Sequence, residues 1–279
     1  MSERRHHAQG AARAALAIRD LTVDFERRSG TLRTVDKVSL EVWPKEIVGV
    51  IGESGSGKTM TALSAMRLLP HGARIGGAIE LGGRDIVSLG ESQMRALRGD
   101  RIALIPQDAM QSLNPTMRVG RQVGEPYEFH RKQSYGAVWS KVVELLRAVK
   151  IADPETRVRE YPHQFSGGMQ QRAMIATGLA LDPELIIADE PTTALDVTVQ
   201  ARILKLLRDI RDERGSAILF ITHELGIVAE LCDWVYVMKD GKVVENGSVK
   251  RIFESPEADY TRMLLEATPS IHRRKEARK

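Results

Sequence analysis

The residues best placed to do chemistry are Gly52-Glu53-Ser54-Gly55-Ser56-Gly57-Lys58-Thr59, which fit the pattern G-x-x-x-x-G-K-[ST]. They follow the apolar run Ile47-Val48-Gly49-Val50-Ile51 and precede the helix-like run Thr59 to Met66. Strand, glycine-rich turn and helix form the context in which this pattern holds phosphate. Glycines let the backbone curl until successive N–H groups converge on phosphate oxygens. The N-terminus of the following helix adds a favourable dipole. In such a loop Lys58 reaches the β- and γ-phosphates and the Thr59 hydroxyl ligates Mg²⁺. The chemistry is therefore binding of a nucleoside triphosphate, and hydrolysis if a water-polarising group stands nearby.

Candidates for that group follow other apolar runs. Asp189 and Glu190 end Leu185-Ile186-Ile187-Ala188. One carboxylate there can hold Mg²⁺, directly or through water, and the other can polarise the attacking water. Gln107 follows Arg101–Ile105, where a neutral amide can touch metal and water without adding charge. His223 follows Ile218 to Thr222, where an imidazole can contact a γ-phosphate and hold the water. A lone glutamine or histidine at a strand end is ordinarily structural; the order of motifs is what marks these two. Phe165-Ser166-Gly167-Gly168-Met169-Gln170 precedes another helix-like run and makes a second anion site. The chain already has a phosphate loop for its own nucleotide, so this second site is expected to complete another subunit's.

These residues need strands that end on one side of a sheet. Arg101–Ile105, Glu184–Ala188 and Ala217–Ile221 lack alternation and read as buried parallel strands. In an open α/β sheet, ligands bind beyond the carboxyl ends of such strands. Leu21, Val23 and Phe25, then Val38, Leu40 and Val42, alternate with polar residues and predict half-buried antiparallel strands. Further strand signals run from Arg74 to Leu89, punctuated by Gly76-Gly77 and Gly82-Gly83. Val138, Val142, Leu145, Leu146 and Val149 recur at helical spacing. Asp196 reads as a helix N-cap, Gly215 as a helix stop, and Asp240-Gly241 as a tight hairpin.

Composition bounds the rest. The chain has 279 residues, is 42% hydrophobic and 28% charged, and carries a net charge of +4. That composition is ordinary for a globular protein, with core enough for one large domain or a domain with a subdomain. Much of the positive excess is terminal, from Arg4 and Arg5 to Arg273, Arg274, Lys275, Arg278 and Lys279. No basic helix with interleaved aromatics stands out, so nucleic acid is not an expected partner. The single cysteine, Cys232, allows no disulfide within the chain and no cysteine cluster for a metal, and fits a reducing compartment. Ala11–Ile18 is apolar but short and interrupted, and is not read as a signal peptide. No apolar run approaches the length of a membrane span.

Taken in order, the motifs resemble those of the ATP-binding subunits of ABC transporters, over roughly residues 16–268. The resemblance implies an α/β fold: a P-loop NTPase (RecA-like) core, an antiparallel β subdomain, and a helical subdomain inserted at about 109–180. Residues 1–15 and 269–279 are expected to be a disordered N-terminal tail and a basic C-terminal tail. It further implies ATP, with Mg²⁺, sandwiched head to tail between two such subunits. Lys58, Thr59, Gln107, Asp189, Glu190 and His223 then act from one side, with Glu190, His223 and Gln107 catalytic and Thr59, Gln107 and Asp189 toward the metal. Ser166, Gly167, Gly168, Met169 and Gln170 act from the other side. Ala194-Leu195-Asp196 matches the family's dimer-contact loop. Phe25 stands where the family usually places an adenine-stacking aromatic, and Met169 where it most often has glutamine.

A narrower likeness, to the dipeptide, oligopeptide and nickel importer branch, rests on Gln111–Pro115, Tyr161–Met169 and Tyr260-Thr261-Arg262-Met263-Leu264-Leu265. It implies import of peptides or a related small solute, powered from the cytoplasmic face of the inner membrane. The expected partners are a second, different ATPase subunit, two permease subunits and a periplasmic or extracellular solute-binding protein. The competing class is a soluble ATPase of the same family serving a non-transport enzyme complex. A DNA-repair or chromosome-structure ATPase would need a long coiled-coil insertion between Gln107 and Ser166, and that interval is short and without heptads.

Overall fold

The computed structural model describes residues 13–27, 30–193 and 195–267. In chain order its elements are β1 (Leu16–Arg27), β2 (Gly30–Val42), β3 (Ile47–Ile51), α1 (Lys58–Met66), β4 (Ala73–Leu81), β5 (Arg84–Asp85), α2 (Glu91–Leu97), β6 (Ile102–Ile105), α3 (Ala109–Ser112), α4 (Val119–Arg131) and α5 (Tyr135–Ala148). They continue with α6 (Pro154–Arg157), α7 (Gly167–Leu179), β7 (Leu185–Asp189), α8 (Val197–Arg214), β8 (Ala217–Ile221), α9 (Leu225–Leu231), β9 (Trp234–Lys239), β10 (Lys242–Ser248), α10 (Val249–Glu254) and α11 (Asp259–Glu266). Most of both expected tails, residues 1–12 and 268–279, lies outside the described residues. The chain divides into two compact units, one of the described residues up to Leu89 and from Ala217 onward, the other Gly90–Ser216.

In the first unit β2, β1, β4 and β5 form an antiparallel sheet in that order. Leu21, Val23, Val38, Leu40 and Val42 are buried, as their alternation predicts, and Phe25 is half-buried. Gly76-Gly77 does not end a strand as punctuation would. β4 runs through it, and the β1–β4 register shifts between Arg19 and Thr22. Gly77 has φ +87°, and a Cβ there would lie 2.5 Å from the Asp20 carbonyl oxygen. The glycine marks a β-bulge rather than a turn. Ahead of β1, Ala15 is buried and its carbonyl accepts the Gly82 N–H at 3.0 Å.

The other strands of this unit are β8, β3, β9 and β10. β3 is parallel to β8 and to β9, and β10 returns antiparallel along β9. Asp240 and Gly241 turn that hairpin with φ of 48° and 78°, the left-handed pair a two-residue turn requires. Every residue of β3 and β8 is buried, consistent with strands covered on both faces. Cys232 packs as a small apolar side chain, 3.1 Å from where a Cβ on Gly49 would stand. Burial pushes its thiol well above the usual range, and Asp233 adds to the effect.

In the second unit β6 and β7 are parallel, with Ile105 opposite Ala188. Helices α3 to α7 lie between them in sequence, and α4 packs on both α5 and α7. Val138, Val142, Leu145, Leu146 and Val149 are buried together, as their spacing predicts. Asp196 caps α8 by accepting the Val199 N–H at 2.9 Å, and Gly215 ends it with φ 75° and an N–H bond to Arg211. Helix α2 has no counterpart in the sequence reading. It buries only Met94 and Leu97, too few apolar positions to show a period. Among the described residues no helix is long and apolar enough to cross a membrane.

Phe220, the fourth residue of β8, is fully buried. Phe220→Ala is expected to lower unfolding free energy by about 3–5 kcal/mol in a denaturant titration; a loss below about 1 kcal/mol would mean the strand is not packed as described.

Candidate functional site

The glycine-rich loop leaves β3 at Gly52 and enters α1 at Lys58. Gly52 has φ +150°, and a Cβ on it would stand 2.1 Å from the Met238 carbonyl oxygen. Only glycine lets the chain leave β3 in this direction against the end of β9. The Ser56 N–H bonds the Glu53 carbonyl at 3.2 Å, closing the turn, and the Gly241 N–H braces it from the β9–β10 hairpin by donating to the Ser56 carbonyl at 3.1 Å. Gly57 caps α1 in the left-handed conformation, and Gly55 has open space beside it.

Lys58 folds back over this turn. Its Nζ donates to the Gly52 carbonyl at 2.8 Å, to the Glu53 carbonyl at 2.7 Å and to Ser56 Oγ at 3.4 Å, and the residue is 5% exposed. Thr59 is exposed in the first turn of α1. Val50 pairs with Ile221, so the loop and His223 follow neighbouring ends of the parallel strands β3 and β8. His223 is exposed, in a turn where Thr222 Oγ1 accepts the Glu224 N–H at 3.0 Å. Phe25 sits on β1 between Leu32 of β2 and Ala73 of β4.

The second unit carries the acidic pair. Asp189 ends β7 and is buried. Glu190 follows with φ 45°, a left-handed conformation uncommon for a residue with a side chain. Its Oε2 accepts from Gln107 Nε2 at 3.1 Å and from Thr193 Oγ1 at 3.1 Å. Gln107 is two residues beyond β6, so the ends of two paired strands meet through this amide and carboxylate. Thr193 was missed, because a single threonine beyond an acidic pair carries no sequence signal.

Ser166 caps α7, its Oγ accepting the Met169 N–H at 3.4 Å. Ser166 and Gly167 are exposed, Met169 is half-buried, and a Cβ on Gly168 would stand 2.5 Å from Val199 Cγ1 of α8. Gln170 is buried and donates to the Pro162 and Phe165 carbonyls at 2.8 and 3.2 Å, fixing the approach to the helix. Leu195 is half-buried and Asp196 exposed; Ala194 lies outside the described residues.

A family profile described as ABC transporter matches residues 35–193. The chain belongs to the ABC transporter family. It is 49% identical over 265 residues to the probable peptide ABC transporter ATP-binding protein y4tR of Sinorhizobium fredii, a match covering 94% of this chain and 79% of that one. It is 44% identical over 271 residues to the oligopeptide transport ATP-binding protein OppD of Salmonella typhimurium, covering 97% and 81%. Among solved structures it resembles the ATP-binding cassette MJ0796, a dimer in a post-hydrolysis state bound to ADP and Pi. The TM-score is 0.74 at 25% identity, over 84% of this chain and 98% of that one. This ABC ATPase has the P-loop NTPase α/β fold of such cassettes, binds ATP and hydrolyses it.

For this ABC ATPase, Gly52→Ala is expected to cost at least about 1 kcal/mol more stability than Gly55→Ala, since both have positive φ but only Gly52 faces a carbonyl. Chemical denaturation of the two variants checks this; equal losses would contradict the tight approach to β9.

Proposed function

We propose that the chain is the ATP-hydrolysing subunit of an importer for peptides or a related small solute. The observation that carries the reading is the Gln107–Glu190 hydrogen bond. It ties the carboxylate suited to polarise water to the segment Asp108–Pro115, which we assign as the hinge facing a membrane partner. The relatives' names, which concern peptide and oligopeptide transport, support the choice of cargo.

In this mechanism the Gly52–Thr59 loop binds the triphosphate of ATP. Lys58 neutralises the β- and γ-phosphates, and the loop amides orient them. Phe25 stacks on the adenine; phenylalanine offers a ring face without a hydroxyl. Glu190 accepts a proton from the attacking water, held in place by Gln107 and Thr193, while His223 contacts the γ-phosphate. Thr59, Gln107 and Asp189 would hold Mg²⁺. Their hydroxyl, amide and carboxylate oxygens are hard donors that suit this ion, which takes few protein ligands. The ion would supply positive charge to the phosphate oxygens.

Ser166 to Gln170 cap the ATP of a second ABC subunit, for which a different chain is the better choice, and Ala194-Leu195-Asp196 form the contact loop. ATP bridges the closed pair better than ADP does, so hydrolysis reopens it. Two permease subunits receive the motion at the cytoplasmic face of the inner membrane, and a solute-binding protein delivers cargo from outside.

Glu190→Gln is expected to keep ATP affinity within about twofold while turnover falls about a hundredfold or more. Steady-state phosphate release and equilibrium ATP binding check this. Turnover near the parent's would remove Glu190 from the mechanism.

A further inference from the structure

The segment Tyr260–Leu265 enters the sequence reading only as a family likeness, yet the structure places its first residue against the phosphate loop. The Glu53 N–H donates to Tyr260 Oη at 3.1 Å. That N–H belongs to the same peptide unit as the Gly52 carbonyl, and the Gly52 carbonyl accepts from Lys58 Nζ at 2.8 Å. One peptide plane is thus held at both ends, by a phenol on α11 and by the lysine of the loop. Such a chain of bonds is cooperative: an ammonium at the carbonyl polarises the amide and strengthens its N–H as a donor.

The phenol is itself built in. Tyr260 is buried, and Lys239 Nζ, at the end of β9, stands 4.8 Å from its ring centroid. The start of α11 is pinned by Glu245 of β10, a buried carboxylate that accepts the Glu257 N–H at 2.7 Å and the Ala258 N–H at 3.1 Å. Burial holds the phenol above its usual range, so it is a neutral hydroxyl at physiological pH.

We infer that Tyr260 is a positioning residue for ATP binding: its hydroxyl fixes the Gly52–Glu53 peptide so that the Gly52 carbonyl holds Lys58 where the phosphates bind. This rests on the assignment of the loop as the phosphate site. A flip of that peptide would turn the carbonyl away from Lys58 and the N–H away from Tyr260 together, so removing one bond loosens the other.

The test uses the full chain, ATP as the probe, and the variants Tyr260→Phe and Lys58→Ala. Phenylalanine keeps the ring, its burial and the lysine over its face, and removes only the oxygen. The expected result is a rise in the Kd for ATP of about twofold to tenfold. Amide hydrogen exchange across residues 52–58 of nucleotide-free protein should quicken, and the thermal midpoint should move by less than about 4 °C. A Kd change below about twofold overturns the inference. So does a raised Kd with unchanged exchange in the loop, or a larger fall in midpoint with exchange quickened throughout the unit, which marks a general packing role. Lys58→Ala tests the underlying assignment separately: if that variant binds ATP as tightly as the parent, the loop is not the phosphate site, whatever Tyr260 does.

Discussion

A lysine that is only 5% exposed sets the constraint on which the rest of the site depends. Burying such a charge is costly unless hydrogen-bonding groups surround it. Here the Gly52 and Glu53 carbonyls and the Ser56 hydroxyl do so, and they face Lys58 only because the turn closes through residues with positive φ. The turn can take that path only where β3 delivers it beside the end of β9 and the hairpin at Gly241. The parallel pairings of β3 with β8 and β9 are therefore a condition for placing one ammonium at the N-terminus of α1, where a phosphate is favoured.

Much of this was legible in the sequence because the signals were local. Buried parallel strands announce themselves as uninterrupted apolar runs, and β6, β7 and β8 lie where Arg101–Ile105, Glu184–Ala188 and Ala217–Ile221 placed them. Caps are equally local: Asp196 and Gly215 bound α8 through bonds three and four residues along the chain. What failed to show was tertiary. Gly76-Gly77 reads as a break, yet the strand continues, because only the partner strand's bulge at Asp20 reveals why a glycine is needed. Helix α2 is held by two apolar side chains, and a period cannot be read from two points.

The candidate site divides in the same way. The loop, the acidic pair and the Ser166 block are contiguous motifs, so residue type and spacing suffice to find them. The environment that gives them chemistry is assembled from distant positions. Gln107 and Glu190 are 83 residues apart, and Glu53 and Tyr260 are separated by 207. The left-handed backbone of Glu190 and its bond from Thr193 leave no trace in composition or periodicity. A sequence can thus name candidate groups for chemistry well before it shows what holds them.

The two-subunit clasp is tested most directly by a structure of stalled Glu190→Gln protein, assembled with its partner ATPase subunit and loaded with ATP and Mg²⁺. The proposed mechanism predicts a γ-phosphate within about 3 Å of Lys58 Nζ, with Ser166 of one subunit at hydrogen-bond distance from the triphosphate held by the other. A triphosphate bound away from the Gly52–Thr59 loop, or a Ser166 segment remote from every γ-phosphate, would contradict it.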